Sequence, residues 1–138
     1  MKKKVVAYAR VSTHLESQEN SYKSQQLYFE KYINNNKDWE LVRIYSDEVS
    51  GTSTRKRKEF NEMIRDAESG KFDIILTKEV SRFARNTLDT LQYTRKLKAM
   101  GIDVYFLLDN ISTADKDGEL RLTIFRKPRP RRSKKVLG

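Results

Sequence analysis

An apolar run near the start of the chain leaves few folds open to it: Val5-Val6-Ala7-Tyr8-Ala9, halting at Arg10-Val11-Ser12-Thr13. A strand without polar alternation is apolar on both faces, so it belongs inside a sheet that helices cover on each side. That requirement selects an α/β architecture. Ligands of open α/β sheets collect beyond the carboxyl ends of the strands, and there this run delivers a guanidinium and, two residues later, a hydroxyl. The arginine fork matches phosphate oxygens and stays charged at any working pH, so Arg10 and Ser12 suit a phosphate. Taken alone, the same residues also fit a surface charge and a turn-capping serine.

The rest of the chain repeats the pattern of a strand stopping at a polar cluster. A first helix is expected from Ser21 to Asn36, with Tyr22, Phe29 and Ile33 at helical spacing and Ser21 as its N-cap. Gln18 and Gln25 flank its start, and by composition both read as solvated amides. Trp39 to Tyr45 is a second strand of mixed alternation, which places it near a sheet edge, and the loop after it holds Asp47 and Arg57. Phe60, Met63, Ile64 and Ala67 fall at i, i+3, i+4 and i+7, an amphipathic helix that Gly70 stops. Phe72 to Thr77 is a third strand ending in a polar segment with Ser81, Arg82 and Arg85. A helix from Thr87 to Met100, with Tyr93, Leu97 and Met100 inward and Gly101 as its stop, leads to a fourth strand, Ile102 to Leu108. Strand and helix thus alternate as in a doubly wound, mostly parallel sheet of four or five strands between helical layers.

Composition removes several function classes. The 138 residues have room for one domain with a real core, hardly two. With no cysteine and one histidine, His14, neither a disulfide framework nor a thiolate or multi-histidine metal site can form. The basic start, Met1-Lys2-Lys3-Lys4, resembles a signal peptide, yet the apolar run after it is short of the roughly 7–15 residues of an h-region. A cytoplasmic protein without a membrane segment is expected. Net charge is +10, but residues 1–125 carry 22 basic and 19 acidic side chains, a net of only +3. Bulk charge therefore says little about a polyanionic partner; the placement of arginines says more.

Three successive strand ends carry Arg10 and Ser12, Asp47 and Arg57, and Arg82 and Arg85; the last two share a face if their segment is helical. Four arginines converging on one serine are not accidental surface charge. The motifs Tyr8-Ala9-Arg10-Val11-Ser12-Thr13, Ser21-x-x-x-Gln25, Asp47 with Ser50-Gly51 and Arg57-x-x-Phe60, and Ser81-Arg82-x-x-Arg85-Asn86 occur in this order. Over residues 4 to about 125 the chain resembles the N-terminal catalytic domain of serine recombinases, the resolvase/invertase family, and most of all its large branch of phage integrases and transposon enzymes. The resemblance implies a resolvase-like three-layer fold and Ser12 as the nucleophile toward a DNA phosphodiester. It implies that Arg10, Arg82 and Arg85 surround the scissile phosphate, with Arg57, Gln18, Gln25 and Asp47 supporting the site. Arg10, Arg57, Arg82 and Arg85 are the implied DNA contacts. Where many small resolvases have Asp before the first arginine of the third motif, this chain has Ser81, as is familiar in the large branch.

The implied chemistry is metal-free and needs no cofactor: the hydroxyl displaces the 3′ oxygen and stays joined to the 5′ phosphate, conserving the bond for religation. Guanidinium groups supply the charge stabilisation a metal would otherwise give. For the base that deprotonates Ser12, His14 and Asp47 both stand as candidates, and Asp47 also fits an arginine-orienting role. Family members work on DNA as dimers and tetramers, and Asp117 to Phe125 resembles the start of the long helix of the oligomer interface. After it the pattern breaks. Residues 126–138 contain two prolines, seven Lys or Arg and no acid, which cannot continue that helix. A truncated or out-of-frame end is expected, with a basic arm on DNA as the alternative. Two other functions stay open: a non-catalytic DNA-binding or regulatory fragment of a recombinase, and a small-molecule α/β enzyme. The first strand-to-helix loop lacks the glycine-rich phosphate cradle that the latter would use.

Overall fold

The structure is a computed structural model that describes residues 2–12, 22–49, 57–84 and 87–126, with Ser12, Val49, Ser81, Arg82, Phe125 and Arg126 described by their backbone. The elements are β1 Lys3–Ser12, α1 Tyr22–Asn34, β2 Trp39–Val49, α2 Lys58–Glu68, β3 Ile74–Thr77, α3 Val80–Phe83, α4 Thr87–Ala99, β4 Asp103–Phe106, β5 Ile111–Ser112 and α5 Gly118–Arg126. The strands form one sheet in the order β2-β1-β3-β4-β5; the first four are mutually parallel, and β5 runs antiparallel to β4. This is the three-layer, mostly parallel α/β fold expected, with β2 at an edge.

The two faces of β1 feed two separate cores. Val5, Ala7, Ala9 and Val11 pack with Phe29 and Ile33 of α1 and with Ile74 and Leu76 of β3. Val6 and Tyr8 belong to a larger core with Phe60, Met63, Ile64 and Ala67 of α2, Val80 and Phe83 of α3, and Leu97 of α4. Helices therefore cover both sides, as a run with no polar alternation demands.

Three local readings change. The mixed alternation of β2 comes from a bulge: the register shifts between Val5 and Val6, which pair with Leu41 and Arg43, leaving Val42 as the extra, exposed residue. The faces exchange there, so Trp39, Leu41 and Ile44 border the α1 core while Tyr45 joins the other. The strand also runs on to Val49 rather than stopping at Tyr45, because β1 offers backbone partners to the polar residues beyond it: Ala9 opposite Ser46 and Arg10 opposite Asp47. In α1 the inner stripe is Gln25, Phe29 and Ile33, and Tyr22 is exposed. In α4 the fully inward residues are Thr90, Thr94 and Leu97, with Tyr93 and Met100 only partly buried against the core. Gly70 and Gly101, at φ +73° and +82°, sit beyond α2 and α4 in the left-handed region where glycine terminates helices. The helix expected over residues 117–125 is α5, which reaches Arg126. Among the described residues no helix is long and apolar enough to cross a membrane.

Candidate active site

Arg10 and Ser12 close β1 at its carboxyl end, Arg10 opposite Asp47 of β2 and Ser12 opposite Val49. Gln25 is buried to 2% exposure and donates from Nε2 to the Arg10 carbonyl at 3.0 Å. An inward amide on the first turn of α1 thus ties that helix to the strand end, in place of the solvated amide that composition suggested. Gln18 and Arg85 lie outside the described residues.

Asp47, expected in a loop, is a buried strand residue whose carboxylate is fully engaged. Oδ1 accepts the Glu59 amide at 2.9 Å, and Oδ2 accepts the Phe60 amide at 3.1 Å and the Tyr8 hydroxyl at 2.8 Å. Those amides lie in the first turn of α2, where backbone N–H groups have no partner within the helix. Arg57, the residue before α2, makes no side-chain cap, so a carboxylate from β2 does the capping instead. Two links follow from one residue: α2 is docked on the sheet, and Tyr8 is fixed beside it.

Arg57 is held from below. Its guanidinium carbon lies 3.7 Å from the Phe60 ring centroid and 5.4 Å from that of Tyr8, and Nη2 donates to the Phe83 carbonyl at the end of α3. The planar cation stacks on aromatic faces while its fork bridges two elements. Its Nε is buried with no hydrogen-bond partner among the described residues. The segment of the third motif is helical only as far as Phe83, and Ala84 is extended at φ −151° and ψ 165°. The i, i+3 face sharing expected of Arg82 and Arg85 was conditional on a helix through both positions; α3 spans Val80–Phe83, and Arg85 lies outside the described residues.

Burial pushes the Tyr8 phenol up to about 12, with the Asp47 carboxylate adding to the rise and the Arg57 guanidinium opposing it. Tyr8 is therefore a neutral donor across the working range. The sequence motif includes Tyr8 without showing this role; its place two residues before Arg10, on the same side of β1, is the signal. A raised folded value means that the Tyr8 contribution is complete below its ordinary value of 10.0 and disappears as pH climbs through about 12. Urea unfolding across this interval should show wild type losing roughly 2–3 kcal/mol through Tyr8, and Tyr8→Phe losing correspondingly less. An identical alkaline decline in both proteins would contradict this. At the carboxyl-terminal end of α2, the Tyr45 hydroxyl donates to Asp66 at 2.6 Å and, with Lys71 and Arg43, holds that carboxyl below its ordinary value. That pairing stabilises at neutral pH and is lost only in acid.

A cavity of about 650 Å³ between α4 and the turn before α5, lined by Arg95, Lys98, Thr113 and Glu119 among others, contains none of these residues. The described candidates Arg10, Gln25, Asp47 and Arg57 lie instead around the carboxyl ends of β1 and β2 and the end of α3.

Residues 5–127 match the family described as Resolvase, N terminal domain. The R46 site-specific recombinase of Escherichia coli is 38% identical over 82 residues, covering 59% of this chain and 42% of that protein. The chain thus matches less than half the length of that relative. Among solved structures, the N-terminal catalytic domain of TP901-1 integrase superposes with a TM-score of 0.76 at 29% identity, covering 88% of this chain and 90% of that one. A resolvase family site-specific recombinase from Streptococcus pneumoniae gives a TM-score of 0.75 at 33% identity, covering 90% and 85%. Motifs, fold and matches agree: the chain belongs to the resolvase N-terminal domain family, the catalytic domain of serine site-specific recombinases.

Proposed function

We propose that residues 1–125 cleave and rejoin DNA through a covalent phosphoserine at Ser12, with 126–138 as a basic tail. The observation that carries this reading is the placement of Ser12 and Arg10 at the end of the interior strand β1, beside the end of β2 and the helix that bears Arg82. Ser12 Oγ forms a bond to phosphorus as the bond from phosphorus to the 3′ oxygen breaks. The proton lost by the serine is balanced by the one the departing 3′ oxygen gains, and the 3′ hydroxyl reverses both changes on religation. Arg10, Arg82 and Arg85 neutralise the charge growing on the phosphate oxygens. Arg57 acts from beneath, bracing α3, and Gln25 and Asp47 hold α1 and α2 against the sheet. With its oxygens already accepting three donors, Asp47 serves as an orienting group rather than as the base. Gln18 stays in the supporting set by resemblance alone. DNA is the substrate, and further copies of the chain are its partners in strand exchange.

The test is direct. The protein is incubated with a supercoiled plasmid library carrying randomised inserts, quenched with denaturant, digested and analysed by mass spectrometry. A nucleotide attached through its 5′ phosphate to the peptide containing Ser12 is expected. No adduct in this chain or in a version extended at its carboxyl end would refute the reading and favour a non-catalytic DNA binder.

A further inference from the structure

The third motif rides on very little helix. Among the described residues, α3 spans four residues, and the Ala84 amide reaches back to the Val80 carbonyl at 3.4 Å. One such turn has almost no stability of its own, since nucleation costs more than a single hydrogen bond returns. Its N-cap position is Glu79, whose side chain makes no capping bond. The helix must therefore be held by its surroundings. Val80 and Phe83, both at 0% exposure, anchor one side in the core, and Arg57 binds the Phe83 carbonyl at the far end.

The near end is held by a residue 29 positions away. Asp109 Oδ2 accepts the Val80 amide at 2.7 Å. Asp109 lies in the turn between β4 and β5, and that turn is docked on the end of β3: the Leu107 amide donates to the Thr77 carbonyl at 2.9 Å and the Leu108 amide to the Lys78 carbonyl at 2.8 Å. The next residue, Asn110, takes φ +56°, a left-handed conformation that asparagine tolerates better than most residues. The reversal leaves Asp109 at the corner facing the start of α3. We infer that Asp109 is a positioning residue for the recombination chemistry: it caps α3 from across the sheet and so fixes the backbone that presents Arg82. This inference rests on the proposed role of Arg82 at the phosphate.

Two variants and two readouts test it on the 138-residue chain. Asp109→Ala removes the acceptor; Asp109→Asn keeps one, and Asn is as good a cap as Asp. Amide hydrogen exchange should accelerate over residues 80–84 in Asp109→Ala while Ile74–Thr77 of β3 stays protected as in wild type. Formation of the Ser12 adduct should fall by about 10- to 100-fold, as for other small misplacements of reacting groups, and Asp109→Asn should stay within about threefold of wild type. Unchanged exchange over 80–84 in Asp109→Ala overturns the inference, as does faster exchange with wild-type adduct formation. Equal impairment in Asp109→Asn with α3 still protected also overturns it, because the carboxylate would then act by its charge and not as a cap. If wild type forms no adduct, the phosphoserine reading fails, while the exchange measurement still decides whether Asp109 anchors α3. Global unfolding of Asp109→Ala would show as lost protection in β3, and Asp109→Asn compared with Asp109→Ser, a shorter acceptor, then replaces it: Ser should partly restore protection of α3, and failure to do so overturns the cap.

Discussion

Ser12→Ala is expected to yield no covalent DNA adduct and no strand cleavage, with DNA affinity unchanged. Losing the attacking atom of a serine-nucleophile enzyme costs on the order of 10⁶-fold in rate, far more than losing any one supporting group. Binding should survive because the backbone at the end of β1 is held by pairing with β2 and by Gln25 on the Arg10 carbonyl, neither of which uses the serine hydroxyl. Arg82→Ala and Arg85→Ala give the contrast: under the proposed mechanism each removes one charge-stabilising donor and should slow cleavage by about a hundred- to a thousandfold while leaving a folded protein. Cleavage at near-normal rates by Ser12→Ala would remove the nucleophile from the mechanism. Near-normal cleavage by either arginine variant would remove that arginine only.

Phe60→Ala should be the most destabilising of the changes considered. The ring is 1% exposed and meets Tyr8, Phe83 and Tyr93 edge to face, at centroid distances of 5.2, 5.3 and 4.9 Å. The Arg57 guanidinium carbon lies over the same ring, 3.7 Å from its centroid. One side chain thus joins β1, α2, α3 and α4 and supports a site arginine. Deleting such a ring costs about 3–5 kcal/mol from the cavity and lost contacts. A domain of this kind is stable by only about 5–15 kcal/mol in total, so partial unfolding at moderate temperature is expected. Chemical denaturation of wild type, Phe60→Ala and Phe60→Leu measures this, and the leucine variant should retain much of the stability because it fills most of the volume. A loss below about 1 kcal/mol in Phe60→Ala would mean that the surrounding rings close the gap on their own.

Phe60 also shows how far the chain can be read in advance. Its place on the inner stripe of α2 follows from the spacing of Phe60, Met63, Ile64 and Ala67, since the helical period is a local property. That its ring meets Tyr8, Phe83 and Tyr93 does not, because those contacts need α2 docked on the sheet, where Asp47 of β2 caps it. The same division runs through the site. Gln25 and Asp47 are polar, and composition assigns polar residues to solvent; both are buried because donors or acceptors from other elements satisfy them. The end of β2 shows it too, since Ser46 and Asp47 resemble a loop until β1 supplies their backbone partners.

From residue order alone come the doubly covered sheet, the alternation of strands and helices and the edge position of β2, because burial and periodicity are written along the chain. The tertiary structure decided the β2 bulge, the commitment of Asp47 to α2, the inward stacking of Arg57 and the capping of α3 by Asp109. Each of these rests on contacts between different elements: β1 paired with β2, Asp47 on the Glu59 amide, Arg57 over Tyr8 and on the Phe83 carbonyl, and Asp109 on the Val80 amide. Local preference is silent on such pairs, for a polar side chain's partner is chosen by which backbone groups the packed helices leave unsatisfied near it.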